Sequence, residues 1–82
     1  MIYRVVSIRD RVADVFAQPA FVVSAGAAVR SFGDALGKDE QLGAHPEDYD
    51  LWEIGAYDDS TAELVNLPNR QLALGKDFKK GD

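Results

Sequence analysis

The 82-residue sequence contains no cysteine. Disulfides, thiolate metal sites and thiol nucleophiles are therefore excluded, and the protein is expected to work in a cytoplasm. Long apolar runs are also missing, because none approaches the roughly 20 residues that a transmembrane helix needs. The chain begins directly with strand-like sequence, without the extended apolar core of a signal peptide. These absences predict a small protein that makes no membrane contact.

Residues for catalysis or metal binding are scarce as well. His45 is the single histidine and precedes Pro46 in a predicted loop, whereas a zinc site needs three or four suitable ligands. The acids between residues 47 and 59 lack the spacing of a calcium loop, and Asp58-Asp59 before Ser-Thr is typical of a solvated turn. No nucleophile elbow or glycine-rich phosphate loop is present. We expect no enzyme activity, catalytic residue, metal or cofactor; a metal-dependent hydrolase built on the acidic loop is a distant alternative.

Charge is divided unevenly along the chain. Residues 1–38 carry a net charge of +2, residues 39–66 carry nine acids and no Lys or Arg, and residues 67–82 again carry +2, which together give −5. A protein that wraps nucleic acid around its whole surface would not have an acidic centre. A local basic strip formed by the two ends remains compatible with this distribution.

The pattern of apolar residues predicts an α+β fold with the order β-β-α-β-β. Residues 2–9 alternate between two faces as a strand, and residues 13–23 form a second strand with an edge or bulge near Gln18-Pro19. Ser24 is the predicted N-cap of a helix whose apolar stripe runs to Leu36, and Gly37 is its predicted C-cap. Gly33 would allow close approach of the helix to a strand.

The second half of the chain is predicted to form a hairpin. Residues 39–47 are expected to be a loop, residues 49–57 the central strand and residues 58–61 a turn. A short return strand at residues 63–67 is expected to end at Pro68-Asn69. The whole chain is predicted to be one domain, with a folded core at residues 1–67 and an extended or flexible tail at residues 68–82.

One helix of about twelve residues covers only part of a four-stranded sheet. The opposite face would hold some of a set of large apolar residues, and such an exposed patch is unusual for a monomer. We therefore expect a homodimer. The set comprises Tyr3, Val5, Phe16, Phe21, Leu51 and Tyr57.

A group of aromatic and basic residues suits single-stranded nucleic acid, which many sheet proteins hold by base stacking and backbone neutralisation. In the alternative arrangement, Trp52, Ile54 and Ala56 face the helix as core, while Tyr3 and Tyr57 line a dimer seam. Phe16 would lie on a neighbouring strand beside the candidate DNA-binding residues. These candidates are Tyr3, Arg4, Arg9, Arg11, Trp52, Tyr57, Arg70, Lys76, Lys79 and Lys80.

Five motifs in a fixed order support a family resemblance: Ala17-Gln18-Pro19-Ala20-Phe21, Ala28-Val29-Arg30-Ser31-Phe32, His45-Pro46-Glu47-Asp48-Tyr49-Asp50-Leu51, Ile54-Gly55 and Tyr57-Asp58-Asp59. Over roughly residues 2–67 the chain resembles the ORF5-like small non-structural protein of gokushovirus-like Microviridae, icosahedral bacteriophages with circular single-stranded DNA genomes. One departure is Ala62, which stands where the family pattern has glycine. A positive φ at this turn would be less comfortable for alanine.

The resemblance implies a protein made in the host cell cytoplasm, absent from the mature virion, and acting in single-stranded genome synthesis or packaging or in single-stranded DNA binding. It carries over no catalytic residues. The first hypothesis is a homodimeric accessory protein that binds single-stranded DNA without sequence preference and loses it steeply with salt. The alternative is a protein–protein adaptor whose acidic centre contacts the phage replication initiator, capsid assembly or a host factor without binding DNA.

Overall fold

A computed structural model describes residues 1–78 of the chain. It has an antiparallel sheet with one main helix, so the predicted α+β class is confirmed. Two short 3₁₀ turns, Pro46–Asp48 and Gly75–Phe78, complete the fold. The strands and helices are β1 (Ile2–Asp10), β2 (Val15–Phe16), β3 (Ala20–Val22), α1 (Ala25–Lys38), α2 (Glu40–Ala44), β4 (Tyr49–Asp58) and β5 (Glu63–Leu74).

The strand order across the sheet is β2-β1-β4-β5, and β3 lies beside β2 along the same edge of β1. The predicted second strand is therefore interrupted, which agrees with the break expected at Gln18-Pro19. Proline has no amide proton for a strand ladder, so the chain leaves β1 there and returns three residues later. Ser7 supports the break because its hydroxyl donates to the carbonyl oxygen of Ala17 at 2.6 Å.

The core lies between α1 and one face of β1 and β4. Ser24 caps the helix as predicted, since its hydroxyl accepts a hydrogen bond from the Ala27 amide at 3.1 Å. The strand residues facing the helix alternate with residues on the other face, as the period of a strand requires. The buried cluster consists of Val6, Ala28, Phe32, Leu36, Tyr49 and Leu51. Leu51, one of the residues from which the opposite face was expected to draw, lies in this core instead.

The expected glycine C-cap and the long loop after it are also wrong. The helix continues through Gly37 to Lys38, and the chain passes directly into α2. Asp39 explains the difference because its carboxylate accepts hydrogen bonds from the Gln41 and Leu42 amides, which makes it the N-cap of a second helix. No helix in residues 1–78 is long and apolar enough to cross a membrane.

The last strand does not end at Pro68 as predicted but runs on to Leu74. An edge strand tolerates proline, and the register with β4 shifts just where Pro68 lies. The chain then turns and places the Phe78 ring edge-on to Phe32, with ring centroids 5.7 Å apart. Gly33 permits this contact, since a Cβ there would lie 2.9 Å from Cε1 of Phe78. The close approach at Gly33 is therefore made to the Phe78 side chain, not to a strand as predicted.

Candidate nucleic-acid interface

Five aromatic side chains share the sheet face that α1 leaves open, and we call this surface the aromatic face. Cross-strand register fixes their side of the sheet, because directly opposed residues point the same way. Tyr3 is opposite Tyr57, Phe21 is opposite Val5, and Phe16 is opposite Arg9. The five residues, all partly or largely exposed, are Tyr3, Phe16, Phe21, Trp52 and Tyr57.

The rings form two neighbouring groups. The Phe21 ring meets the Tyr57 ring edge-on at 5.2 Å between centroids, and the Tyr3 ring lies 6.3 Å from the Tyr57 ring. At the other end of the face, the Phe16 and Trp52 rings are edge-on at 6.4 Å. Trp52 and Tyr57 are five residues apart on β4, a distance of roughly 16 Å at the rise of a strand. The face is therefore long enough to contact more than one base.

A bulge in β4 places Trp52 and Tyr57 on the same face. In a regular strand, residues five apart point to opposite faces. Here Val5 is opposite Gly55 and Val6 is opposite Glu53, so Ile54 is skipped and the alternation reverses. Only glycine fits at the position after Ile54, because a Cβ on Gly55 would lie 2.5 Å from the Val65 carbonyl oxygen. The alternative arrangement, in which Trp52 faces the helix as core, is wrong.

Two arginines lie at the Phe16–Trp52 end of the aromatic face. The Arg9 guanidinium carbon is 6.0 Å from the centroid of the Phe16 ring, and Nη2 of Arg9 is 2.6 Å from Oδ1 of Asp14. Arg11 is about half exposed, and its Nε lies 3.7 Å from Oδ2 of the buried Asp50. Arg9 has one close carboxylate partner, and the carboxylate partner of Arg11 is further away. Both guanidiniums therefore retain surface that can contact a further anion.

The side chains of Asp50 and Trp52 each bury a polar atom on this side of the sheet. Oδ1 of Asp50 and Nε1 of Trp52 have no hydrogen-bond partner among the described residues. An unpaired buried donor or acceptor is costly, so these atoms need a partner from outside the described residues, such as a bridging water. Both atoms have almost no exposed surface, so they do not offer a ligand direct access in this conformation.

A protein-family profile described as Phage ORF5 protein matches residues 3–78, which is nearly the whole chain. The chain belongs to the phage ORF5 family. The resemblance noted in the sequence is thereby confirmed at the level of an ORF5-type phage protein. Comparison with curated proteins and with solved structures returned no significant match. The function of this phage ORF5 protein must therefore be argued from its own geometry.

The structure divides the other predicted DNA-binding residues of this ORF5 protein among separate places. Arg4 and Arg70 lie on the helix side of the sheet, where both guanidiniums bind Glu53 at 2.6 and 3.0 Å. Lys76 is exposed in the last 3₁₀ turn, which follows β5 and contacts α1, and it is not on a strand. Lys79 and Lys80 lie outside the described residues.

Phe21 is a member of the aromatic face that the list of candidate DNA-binding residues omitted. Its position depends on the short strand after Pro19, which pairs with the start of β1 rather than continuing β2. Phe16 was expected beside the candidates, and its contact with Trp52 places it there. Its strand has only three residues, too few for alternation to assign a face, so the sequence includes Phe21 only in the set of apolar residues for the opposite face.

The hairpin between β4 and β5 borders the aromatic face at Tyr57. The hydroxyl and the amide of Ser60 both donate to Oδ1 of Asp58, and these hydrogen bonds hold the pKa of Asp58 below its ordinary value. Ala62 adopts a φ of 63°, the left-handed conformation that the glycine of the family pattern would take more readily. The terminal amine of Met1 binds Asp59 at 2.7 Å, and this hydrogen bond raises the pKa of the amine.

Proposed function

We propose that this phage protein binds single-stranded DNA through its aromatic face, during genome replication or packaging in the host cytoplasm. It would act there without catalysis and as a non-structural protein absent from the virion. The observation that supports the proposal most directly is the set of five exposed or half-exposed rings on one sheet face, with Arg9 and Arg11 at its end. Membership of a phage family agrees with a role in infection.

The chemistry of this face suits binding without sequence preference. Base stacking on aromatic side chains contributes about 1–3 kcal/mol per base and tolerates every base. Two or three stacked bases would give about 2–9 kcal/mol before the cost of association, so dissociation constants weaker than about 1 μM are expected. With exposed rings and few cations, stacking would supply most of this free energy.

Salt dependence follows from the number of cations on the face. Each phosphate neutralised on a single strand contributes a slope of about −0.7 in a plot of log K against log salt concentration. Contacts by Arg9 and Arg11 would therefore give about −1.4 in total. This slope is shallower than the sequence suggested, because Arg4 and Arg70 are engaged with Glu53 on the other side of the sheet.

The proposal is tested by fluorescence anisotropy of a short labelled oligothymidine at low salt. Phe21→Leu removes a ring from the aromatic face while keeping its apolar character, and loss of one stacked base should weaken binding about 5- to 150-fold. Phe78→Leu is the matched control, because this ring packs on Phe32 on the helix side. Arg9→Gln should reduce the salt slope by about 0.7, whereas Arg70→Gln should leave it unchanged.

Two results would refute the proposal: no binding of the oligonucleotide at low salt, or equal weakening by the Phe21 and Phe78 variants. The adaptor hypothesis would then be preferred, because exposed Tyr, Trp, Phe and Arg side chains are also enriched at protein interfaces. In that case the same aromatic face would take a phage or host protein, and a capture experiment with Phe21→Leu as the control bait would identify it.

A further inference from the structure

The helix side of the sheet is covered at only one end. With 14 residues, α1 is about 21 Å long, whereas the 10 residues of β4 extend about 34 Å. The buried core reaches no further toward the hairpin than Val6 on β1. Beyond it, Ile2 and Val65 are respectively 57% and 40% exposed, although cross-strand register puts both on the helix side. We call this uncovered part the distal surface.

The two ends of the distal surface carry opposite charge. At the end next to the core, Arg4 and Arg70 share the single carboxylate of Glu53, which leaves a local charge of +1. At the hairpin end, Asp58 and Glu63 are cross-strand neighbours with a local charge of −2. Glu53 is opposite Val6 and Asp58 is opposite Ile2, so about four residues of β1, or roughly 13 Å, separate these two carboxylates. Val65 lies between them, opposite Ala56, whereas Ile2 lies beside Asp58 at the hairpin end.

We propose that the distal surface binds the distal surface of a second copy of this chain, across a two-fold axis. Such an axis brings one patch against itself in the reverse direction. The acidic hairpin end of each copy, with Ile2 beside it, would then meet the Arg4–Arg70 end of the other, and Val65 would pack near the axis. Sheets stack face to face at about 10 Å, close enough for these side chains to interdigitate. The negative end of each copy would thus lie against the positive end of the other.

Two other ways of self-association are less consistent with the fold. Pairing along the exposed edge of β5 is opposed by Pro68, which lacks an amide proton and lies at an irregularity of the strand. Pairing through the aromatic face would bury the rings that the proposed DNA site requires. In the proposed dimer both aromatic faces remain open, so dimerisation and DNA binding are independent and can fail separately.

Neighbouring residues of β5 provide a matched test. Val65 lies on the distal surface and Leu64 on the aromatic face, because they are opposite Ala56 and Tyr57, respectively. Sedimentation velocity over a concentration series should show a dimer for the wild type and for Leu64→Asp. Val65→Asp should weaken it by about tenfold or more, since a carboxylate without a partner would be buried at the seam. Thermal melting checks that both variants fold.

Glu63→Lys is the second variant. Glu63 is exposed and forms no ion pair in the described part of the chain, so its substitution should leave the fold intact. The dimer should weaken because the introduced lysine would face Arg4 and Arg70 of the other copy, and high salt should weaken the wild-type dimer. The proposal is overturned by a wild-type monomer at every concentration, by an unaffected Glu63→Lys dimer, by loss of the dimer in Leu64→Asp, or by an unchanged Val65→Asp dimer.

Discussion

Glu53 is held by two arginines from different strands, which makes a specific thermodynamic prediction possible. Its carboxylate is about 10% exposed, with Oε2 2.6 Å from Nη1 of Arg4 and Oε1 3.0 Å from Nη2 of Arg70. The arginine side chains are 44% and 61% exposed. The Glu53 carboxylate is therefore poorly solvated and depends on the arginines, whereas water can still solvate both guanidiniums.

This asymmetry predicts that the two arginines are not additive. Arg4→Met or Arg70→Met alone leaves one cation on Glu53, and a half-exposed ion pair contributes only about 0.2–1 kcal/mol. Methionine keeps the apolar stem, so the loss is mainly electrostatic. With both arginines replaced, a nearly buried carboxylate has no cation, and such a break costs about 3–5 kcal/mol. The double variant should therefore lose about 1–5 kcal/mol more than the sum of the single variants.

Urea unfolding measures these differences through the fluorescence of Trp52, the single tryptophan. Glu53→Gln added to the double arginine variant is the control, and it should recover much of the lost free energy of unfolding because it removes the buried charge. Additivity of the arginine variants to within about 0.5 kcal/mol would refute the reasoning. It would mean that water solvates Glu53 well enough in the native state to replace both guanidiniums.

Three further predictions concern two positions of α1 and one of the hairpin. Gly26→Ala should raise the free energy of unfolding by up to about 1 kcal/mol in urea titrations, since nothing lies within 4 Å of the new Cβ. Gly33→Ala should gain nothing, because its Cβ would displace the Phe78 ring and forfeit an aromatic contact of about 0.5–1.5 kcal/mol. Ser60→Ala should raise the pKa of Asp58 in a carboxyl NMR titration. Because the native pKa is depressed, the stability that Ser60 adds should be present above the ordinary value of 3.8 and vanish as pH falls through the native pKa.

Alternation predicted the faces of β1 correctly but failed for β4. The face shared by Tyr3 and Val5 follows directly from a strand period of two. The bulge at Ile54 reverses that period, and it is accompanied by the close approach of the Val65 carbonyl to Gly55. This is a contact between residues ten apart, so no pattern within β4 alone contains it. The sequence therefore identified Trp52 and Tyr57 as candidates without placing them together.

Helix and strand ends were missed for a related reason. Asp39 is polar and closely follows Gly37, and this pattern predicts the start of a loop. In the structure its carboxylate instead accepts hydrogen bonds from two amides and caps a new helix. Pro68 was interpreted as a strand end because proline cannot donate a ladder hydrogen bond. On an edge strand that donor is dispensable, and whether a strand is at an edge is a property of the assembled sheet.

The net charge of −5 does not by itself oppose DNA binding, because the acids are unevenly engaged. Glu53 binds two arginines on the helix side, and Asp59 binds the terminal amine at the hairpin tip. Among the described strand residues on the aromatic face, Asp50 is the one carboxylate, and it is buried beside Arg11. A strand of DNA on the rings would therefore meet Arg9 and Arg11 together with one exposed acid from the turn after β1, Asp14, whose carboxylate already pairs with Arg9. Repulsion from more distant acids is screened beyond about 10 Å at 0.1 M salt. If those acids controlled the encounter instead, added salt would strengthen binding, and the slope predicted at about −1.4 would change sign.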